Sequence, residues 1–325
     1  MNTRCKLAVA LGASVFAASL RSFAQPQTPR LVRIGYLGLS STSSYAGGVE
    51  ALRASLRDLG YVEGKNLVIE SRWAEGRNDR LPELAAELVR LRVDIIVATQ
   101  TPAVQAAKQA TNSIPIVMAP AGDPVGTGFI ASLARPGGNV TGMSAQISEL
   151  AAKNLELMRE MLPSVSRVAV LLNEADPFAK PLLEHLERAG RSLGLQLQTI
   201  AVRAEDEFDV VFTDMVRNRA DAVYVQGSLP RNRAIELALK HRLAAFTSAP
   251  GFAEAGGLMS YVGVFADLYR EAAIFVDKIL KGAKPADLPV EQPTQFELAI
   301  NLKTAKALGI KIPYSILVRT TKLIE

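Results

Sequence analysis

Arg92-Val93-Asp94-Ile95-Ile96-Val97-Ala98-Thr99-Gln100-Thr101-Pro102-Ala103 is the stretch that decides the fold. Val93 to Ala98 is an apolar run of strand length, and it ends in a short polar loop. Thr101 suits an N-cap and Pro102 the first helical position, so a helix over 103–110 follows at once. A strand that is apolar at every position but Asp94 and passes directly into a helix belongs to a parallel sheet covered on both faces.

The same grammar extends in both directions. Val32 to Leu37 reads as a strand, and Val49, Leu52, Leu56 and Leu59 line a helix that stops at Gly60. Leu67 to Glu70 and Ile114 to Met118 are further strands, and Leu81, Leu84, Leu88 and Leu91 mark another helix. Downstream, strands are expected at 167–172, 195–202, 222–226 and 243–247, with helices at 178–193 and 230–242. A weaker helix is expected between Glu205 and Arg219, where Val210, Val211 and Thr213 are β-branched.

Local echoes point to a duplicated plan. Arg92-Val93-Asp94-Ile95-Ile96-Val97 resembles Arg219-Ala220-Asp221-Ala222-Val223-Tyr224. Leu59-Gly60 resembles Leu193-Gly194, and Met118-Ala119-Pro120-Ala121-Gly122 resembles Ser248-Ala249-Pro250-Gly251. The offsets are close: 127 from Asp94 to Asp221, 134 from Gly60 to Gly194, and 130 from Pro120 to Pro250. The expected fold class is therefore α/β, with two similar Rossmann-like lobes built on parallel sheets. Segment 134–142, rich in Gly and Pro, reads as a turn and a crossing. A strand at 258–262, a helix at 267–280, a linker at 284–289 and an apolar run at 296–300 complete a three-segment hinge. This assigns 31–141 and 264–288 to the first lobe, and 142–263 and 289–325 to the second.

The N-terminus reads as a secretory leader over 1–24. Arg4 and Lys6 precede the apolar run Leu7 to Leu20, and Ser22-Phe23-Ala24 supplies small residues before a cut at Gln25. Such a run is shorter than the ~20 apolar residues that span a bilayer. Expected consequences are export to the periplasm and no stable membrane insertion. Removing Arg4, Lys6 and Arg21 takes the formal net charge from +5 to +2. With no polybasic run, nucleic acid is not an expected partner. Cys5 is the only cysteine and leaves with the leader, so a disulfide or cysteine metal site is excluded from the mature chain.

Catalytic constellations are scarce. His185 and His241 sit on charged helix faces without metal-ligand spacing, and no Gly-x-Ser-x-Gly elbow occurs. Gly60 to Asn66 is one residue short of a phosphate loop. Gly126 to Ala131 fits G-x-G-x-x-A, but it does not follow its strand directly, as a dinucleotide site requires. No cofactor and no metal are expected, and the chain does not read as an enzyme. In open α/β sheets ligands bind at the carboxyl ends of the strands. The polar loops there contain Ser40, Ser41 and Tyr45, then Thr99, Gln100, Thr101 and Ala103, then Asp123. From the second half come Asn173, Asp176 and Phe178, with Gln226 and Ser228. The amides at the Thr101–Ala103 helix start suit a carboxylate. Asp123, the acidic residue of the first lobe's loops, suits an ammonium group.

Several phrases resemble the ABC-transporter substrate-binding proteins of the family that includes tryptophan- and tyrosine-type binding proteins. They are Leu59-Gly60-Tyr61-Val62-Glu63-Gly64-Lys65-Asn66, Arg72-Trp73-Ala74-Glu75-Gly76, Thr101-Pro102-Ala103, Gly122-Asp123-Pro124-Val125-Gly126, Ala134 to Gly142, and Leu288-Pro289-Val290-Glu291-Gln292-Pro293. The resemblance implies a type I periplasmic-binding fold, a small amino-acid-like ligand, an ABC permease with its ATPase as partner, and a monomer. A same-fold receptor that feeds a membrane sensor kinase is the alternative, and a secreted α/β enzyme a third. The family often has Asn-Pro-x-Asn-Pro where this chain has Asn173-Glu174-Ala175-Asp176-Pro177. It often has Tyr-Gly-Pro-Asn where this chain has Tyr261-Val262-Gly263-Val264, which makes Tyr261 a further site candidate. Both departures bear on the ligand rather than the fold.

Overall fold

A computed structural model describes residues 31–325. The expected leader lies outside the described residues. The chain begins with β1 (Val32–Gly38), α1 (Ala46–Asp58), β2 (Leu67–Trp73), α2 (Leu81–Arg90), β3 (Ile95–Thr99), α3 (Thr101–Ala110), β4 (Ile116–Ala121) and β5 (Val140–Ser144). These strands form one parallel sheet in the order β2-β1-β3-β4-β5. Period-two alternation sends their side chains to two separate cores. Ile34, Tyr36, Ile95 and Val97 pack on the α1 face. Leu37, Ile96, Ala98 and Met118 pack on the face covered by α2 and α3.

The second sheet repeats the design. Its elements are α4 (Ile147–Met161), β6 (Arg167–Asn173), α5 (Ala179–Ser192), β7 (Gln196–Val202), α6 (Phe208–Arg217), β8 (Ala222–Val225), α7 (Arg231–Lys240), β9 (Ala244–Thr247) and β10 (Met259–Gly263). Next come α8 (Phe265–Leu280), β11 (Phe296–Asn301), α9 (Leu302–Leu308), α10 (Tyr314–Leu317) and β12 (Lys322–Ile324). The order is β12-β11-β10-β9-β8-β6-β7, parallel except between β10 and β11. Val168, Val170 and Tyr224 face α4 and α5, whereas Ala169, Leu171 and Val223 face α6 and α7.

The sequence echo has a geometric cause. Arg92 and Arg219 both take left-handed backbone, φ 51° and 59°, where a helix turns into a strand. Asp94 then accepts the amide of Arg33 at 2.8 Å, and Asp221 accepts those of Ser166 and Arg167 at 2.8 and 2.9 Å. Each aspartate ties the second central strand of its sheet to the start of the first.

Three differences from the sequence reading matter. Helix α4 was not expected. Its buried face contains Asn154, which breaks the apolar stripe, and whose side chain bonds Leu150 O, Ser248 Oγ and both backbone groups of Tyr261. Val140–Ser144 is a strand, not the end of a turn, so the first crossing follows residue 144 instead of 141. Finally, Val290 and Glu291 still pair with the first sheet through Leu133, Gly142 and Ser144, so the last crossing lies beyond 288.

Helix α8 returns from the second half of the chain to cover the first sheet beside α1. Its Tyr269 is fully buried, and its hydroxyl lies 2.9 Å from Thr99 Oγ1 and 3.2 Å from the Tyr36 hydroxyl. The close approach of α1 needs Gly48, because a Cβ there would fall 2.4 Å from the Tyr269 ring. Gly47, one residue earlier, has nothing within 4 Å. In urea unfolding, Gly47→Ala should stabilise the protein by about 0.5–1 kcal/mol through helix propensity. Gly48→Ala should instead destabilise it by roughly 1–3 kcal/mol through overpacking. Equal effects of the two substitutions would refute this packing account.

Candidate functional site

The loops at the carboxyl ends of both sheets face each other across a cleft. Its first-lobe wall is organised by Gln100. This residue caps α3 with φ 69° and ψ 147°, a backbone region that costs a non-glycine residue on the order of 1–3 kcal/mol. Gln100 Oε1 accepts from the Ser40 amide at 3.2 Å and the Ser40 hydroxyl at 2.9 Å. Its Nε2 reaches across the cleft to Gly227 O at 3.3 Å.

The expected cap therefore moves by one residue. Gln100, not Thr101, is the N-cap, and Thr101 Oγ1 accepts the Gly122 amide at 3.1 Å. Pro102 has no N–H, and the Ala103 amide donates to Gln100 O. Among the described residues, the Thr101 N–H has no acceptor. The helix start thus offers the cleft one amide rather than the expected set. Ala103 itself is fully buried in the core beneath.

The second-lobe wall is a polar network around Asp176. Its Oδ1 accepts the Phe178 amide at 2.9 Å, and its Oδ2 accepts Gln226 Nε2 at 2.8 Å. Gln226 Oε1 in turn accepts the Asn173 amide at 2.9 Å, and Asn173 Nδ2 lies 3.4 Å from Ser228 Oγ. Burial pushes the Asp176 carboxyl up to about 6, while hydrogen bonds from Ser228, Phe178 and Gln226 hold it back.

Two adjoining spaces result. The inner one, about 60 Å³, is bordered by Thr101, Asp176, Gln226 and the rings of Tyr45, Phe178 and Phe265. The outer one, about 290 Å³, is bordered by Ser40, Ser41, Glu75, Glu205, Arg231 and Asn232. Tyr45, Gln226 and Ser228 border both.

Of the expected residues, Ser40, Ser41, Tyr45, Gln100, Thr101, Asp176, Phe178, Gln226 and Ser228 line this cleft. Four others do not. Thr99 is spent on Tyr269 behind the wall. Asn173 stands behind Gln226 as a support. Tyr261 stacks on Phe296, with centroids 5.8 Å apart, and its backbone is held by Asn154. Asp123 is corrected most clearly, because its Oδ1 accepts the Val125 and Gly126 amides at 3.1 and 2.8 Å. It closes its own turn and borders neither space.

Phe265 and Ile147 were missed because they open helices at the crossings, where only the tertiary structure brings them to the cleft. Arg231 was missed because it reads as the charged start of a surface helix. Among the described residues there is no group of three or more His, Asp or Glu side chains able to hold a metal ion. No described helix is long and apolar enough to cross a membrane.

A family model for ABC transporter substrate binding proteins matches residues 39–324. The chain belongs to that family. A tyrosine-binding protein of Clostridioides difficile (strain R20291) is 28% identical over 263 residues, which is 79% of this chain and 75% of the relative. The structure of an ABC domain in complex with L-Trp from Streptococcus pneumonia is 29% identical with a TM-score of 0.84, covering 90% of this chain and 99% of that one. A conserved domain protein from Vibrio cholerae is 27% identical with a TM-score of 0.85, covering 90% and 100%. The two α/β lobes are those of the type I periplasmic-binding fold.

Asp176 gives this substrate-binding protein a pH signature. Its carboxyl rises from an ordinary value of 3.8 to about 6 in the fold. The folded state therefore binds the extra proton between those values, and stability falls as pH rises through that window. Urea unfolding from pH 4 to 7 should show a loss on the order of 2–3 kcal/mol from this group. Asp176→Asn should remove that slope. An unchanged slope in the variant would show that Asp176 is not the titrating group.

Proposed function

We propose that this protein is an exported receptor that closes on a small zwitterionic, amino-acid-like ligand and delivers it to an ABC permease with its ATPase. The observation that carries the reading is the buried Asp176 carboxylate at the inner space, between aromatic side chains supplied by both lobes. A buried anion with fixed hydrogen-bond partners suits an ammonium group, and it takes the role that the sequence reading gave to Asp123. The open Thr101 amide suits a carbonyl or carboxylate oxygen of the same ligand. The relatives, by their descriptions, bind tyrosine and L-Trp, which agrees with a ligand of this class.

Closure follows from the division of the site. Tyr45, Gln100, Thr101 and Phe265 come with the first sheet, and Asp176, Phe178 and Gln226 with the second. A ligand touching both walls gains its full contacts only when the lobes meet, so it shifts the population toward that arrangement. Export, with the leader removed near Ala24 and Gln25, places such a receptor where solutes arrive.

Isothermal calorimetry with L-amino acids from pH 5 to 8 tests the proposal. Affinity should be steady above pH 7 and weaken toward tenfold per pH unit below about 6, as Asp176 takes up a proton. At pH 7, Asp176→Asn should weaken binding at least ~10-fold, on the order of the ~2 kcal/mol of a buried charge-assisted contact, and flatten the pH profile. Failure of every amino acid and amino-acid derivative to bind a correctly folded protein would refute the reading.

A further inference from the structure

Three fully buried hydroxyls line up behind the first-lobe wall of the cleft. The Tyr36 hydroxyl lies 3.2 Å from that of Tyr269, which lies 2.9 Å from Thr99 Oγ1. Tyr36 and Tyr269 belong to the apolar core under α1 and α8. A hydroxyl buried there costs free energy unless it is bonded. Phenylalanine at positions 36 and 269 and valine at 99 would fill nearly the same volume and leave nothing to satisfy. The hydroxyls therefore contribute position rather than burial, since a fully bonded polar chain singles out one packing of a core. Burial raises both phenols well above their ordinary value, so they keep their protons at neutral pH.

Each member of the chain belongs to an element that ends at the cleft. Strand β1 carries Tyr36 and runs on to Ser40, which borders the outer space. Strand β3 ends at Thr99, and the next residue is the strained cap Gln100, which borders the inner space. Helix α8 opens with Phe265, which borders the inner space and faces the Tyr45 ring at 6.3 Å. Tyr269 follows about one helical turn later on the same side. Backbone connectivity does not place Phe265 against this wall, because α8 enters from a crossing between the lobes. The hydroxyl chain does. The second lobe repeats the device. Helix α4 also follows a crossing and opens with Ile147 at the inner space. Its Asn154 Nδ2 donates at 2.9 Å to Ser248 Oγ, which also accepts from the buried Tyr224 hydroxyl at 3.2 Å. Each crossing helix is thus pinned by a buried polar side chain to the end of a strand in the lobe it joins.

We propose that Tyr269 is a positioning residue of the binding site. Through Thr99 and Tyr36 its hydroxyl holds Phe265, Gln100 and Ser40 in the arrangement that receives the ligand. Tyr269 borders neither space of the cleft and acts only through these neighbours. A second phenol supplies an internal contrast. The Tyr61 hydroxyl donates to Asp277 Oδ1 at 3.0 Å and so also holds α8, but about three turns away from Phe265. If the hydroxyls merely attached the helix, loss of either would act alike.

Hydrogen exchange read by mass spectrometry on the ligand-free protein tests the proposal. The amides of Ser40, Gln100, Ala103 and Val104 are all bonded in or beside the Gln100 cap. Tyr269→Phe should speed exchange of the segments that contain them by ~5-fold or more, about the worth of one net hydrogen bond, and leave β6 and β8 unchanged. Thr99→Val, which cuts the chain from its other end, should do the same, and Thr99→Ser should preserve normal exchange. Tyr61→Phe should leave these segments as they are. Calorimetry with L-tryptophan and L-tyrosine, which rests on the amino-acid reading above, should show affinity reduced ~5-fold or more in Tyr269→Phe and unchanged in Tyr61→Phe. Equal effects of the two phenylalanine variants, or unaltered exchange or affinity in Tyr269→Phe, would overturn the proposal. Failure of both amino acids to bind the unmodified protein would count against the amino-acid reading, and the ligand-free exchange comparison then decides the role of Tyr269 alone.

Discussion

The first sheet has two apolar faces, and the chain that builds it cannot cover both. Helices α2 and α3 seal one face, but α1 alone leaves the other open above β4 and β5. Helix α8 closes it, and α8 arrives only after the whole second sheet has been made. An apolar sheet face left in water would forfeit roughly 25 cal/mol per Å² of buried area, so the return of the chain is obligatory. Multiple crossings between lobes, and the site between them, follow from that single requirement. Tyr269 shows the consequence at atomic scale. It packs α8 against Gly48 of α1 and ends in hydrogen-bonding contact with Thr99, one residue from the strained Gln100.

That strain and the Asp176 network are two forms of preorganisation. Gln100 is held in an unfavourable backbone region by Ser40 on its own side and by Gly227 on the other. Asp176 is held in a dry position by Phe178 and Gln226, and Gln226 by Asn173. Burial raises the free energy of the carboxylate, and those donors return only part of it, which leaves the group ready for a cation. The contact between lobes is equally close where no charge is involved. Phe178 lies against Gly122, so tightly that a Cβ there would stand 2.8 Å from Cγ of the ring.

The lobes share a grammar but not a role. Asp94 and Asp221 do the same structural work at corresponding places, as do Arg92 and Arg219. At the ligand edge the likeness ends. The first lobe offers a strained cap, an amide and aromatic side chains, whereas the second supplies the buried acid and Arg231.

By itself the sequence determined the alternation of strands and helices, the duplicated plan and most of the loops that line the cleft. These are local properties, set by apolar periodicity, helix starts and turn residues over a few positions. It could not choose between Asp123 and Asp176, since each is followed by proline in a loop after a strand. The choice lies in what surrounds them. Asp123 has its own turn amides within reach and stays partly exposed, whereas Asp176 is enclosed and meets Gln226 from a distant strand. Helix α4 was hidden because Asn154 interrupts its apolar face, and its partners, Ser248 and Tyr261, are about a hundred residues away. Arg231 reads locally as a solvated helix start. Only the packing of Pro250 and Gly251 beside it makes it part of the site. Tertiary structure decided these points because burial and long-range hydrogen bonding depend on which segments meet, and local pattern does not encode that.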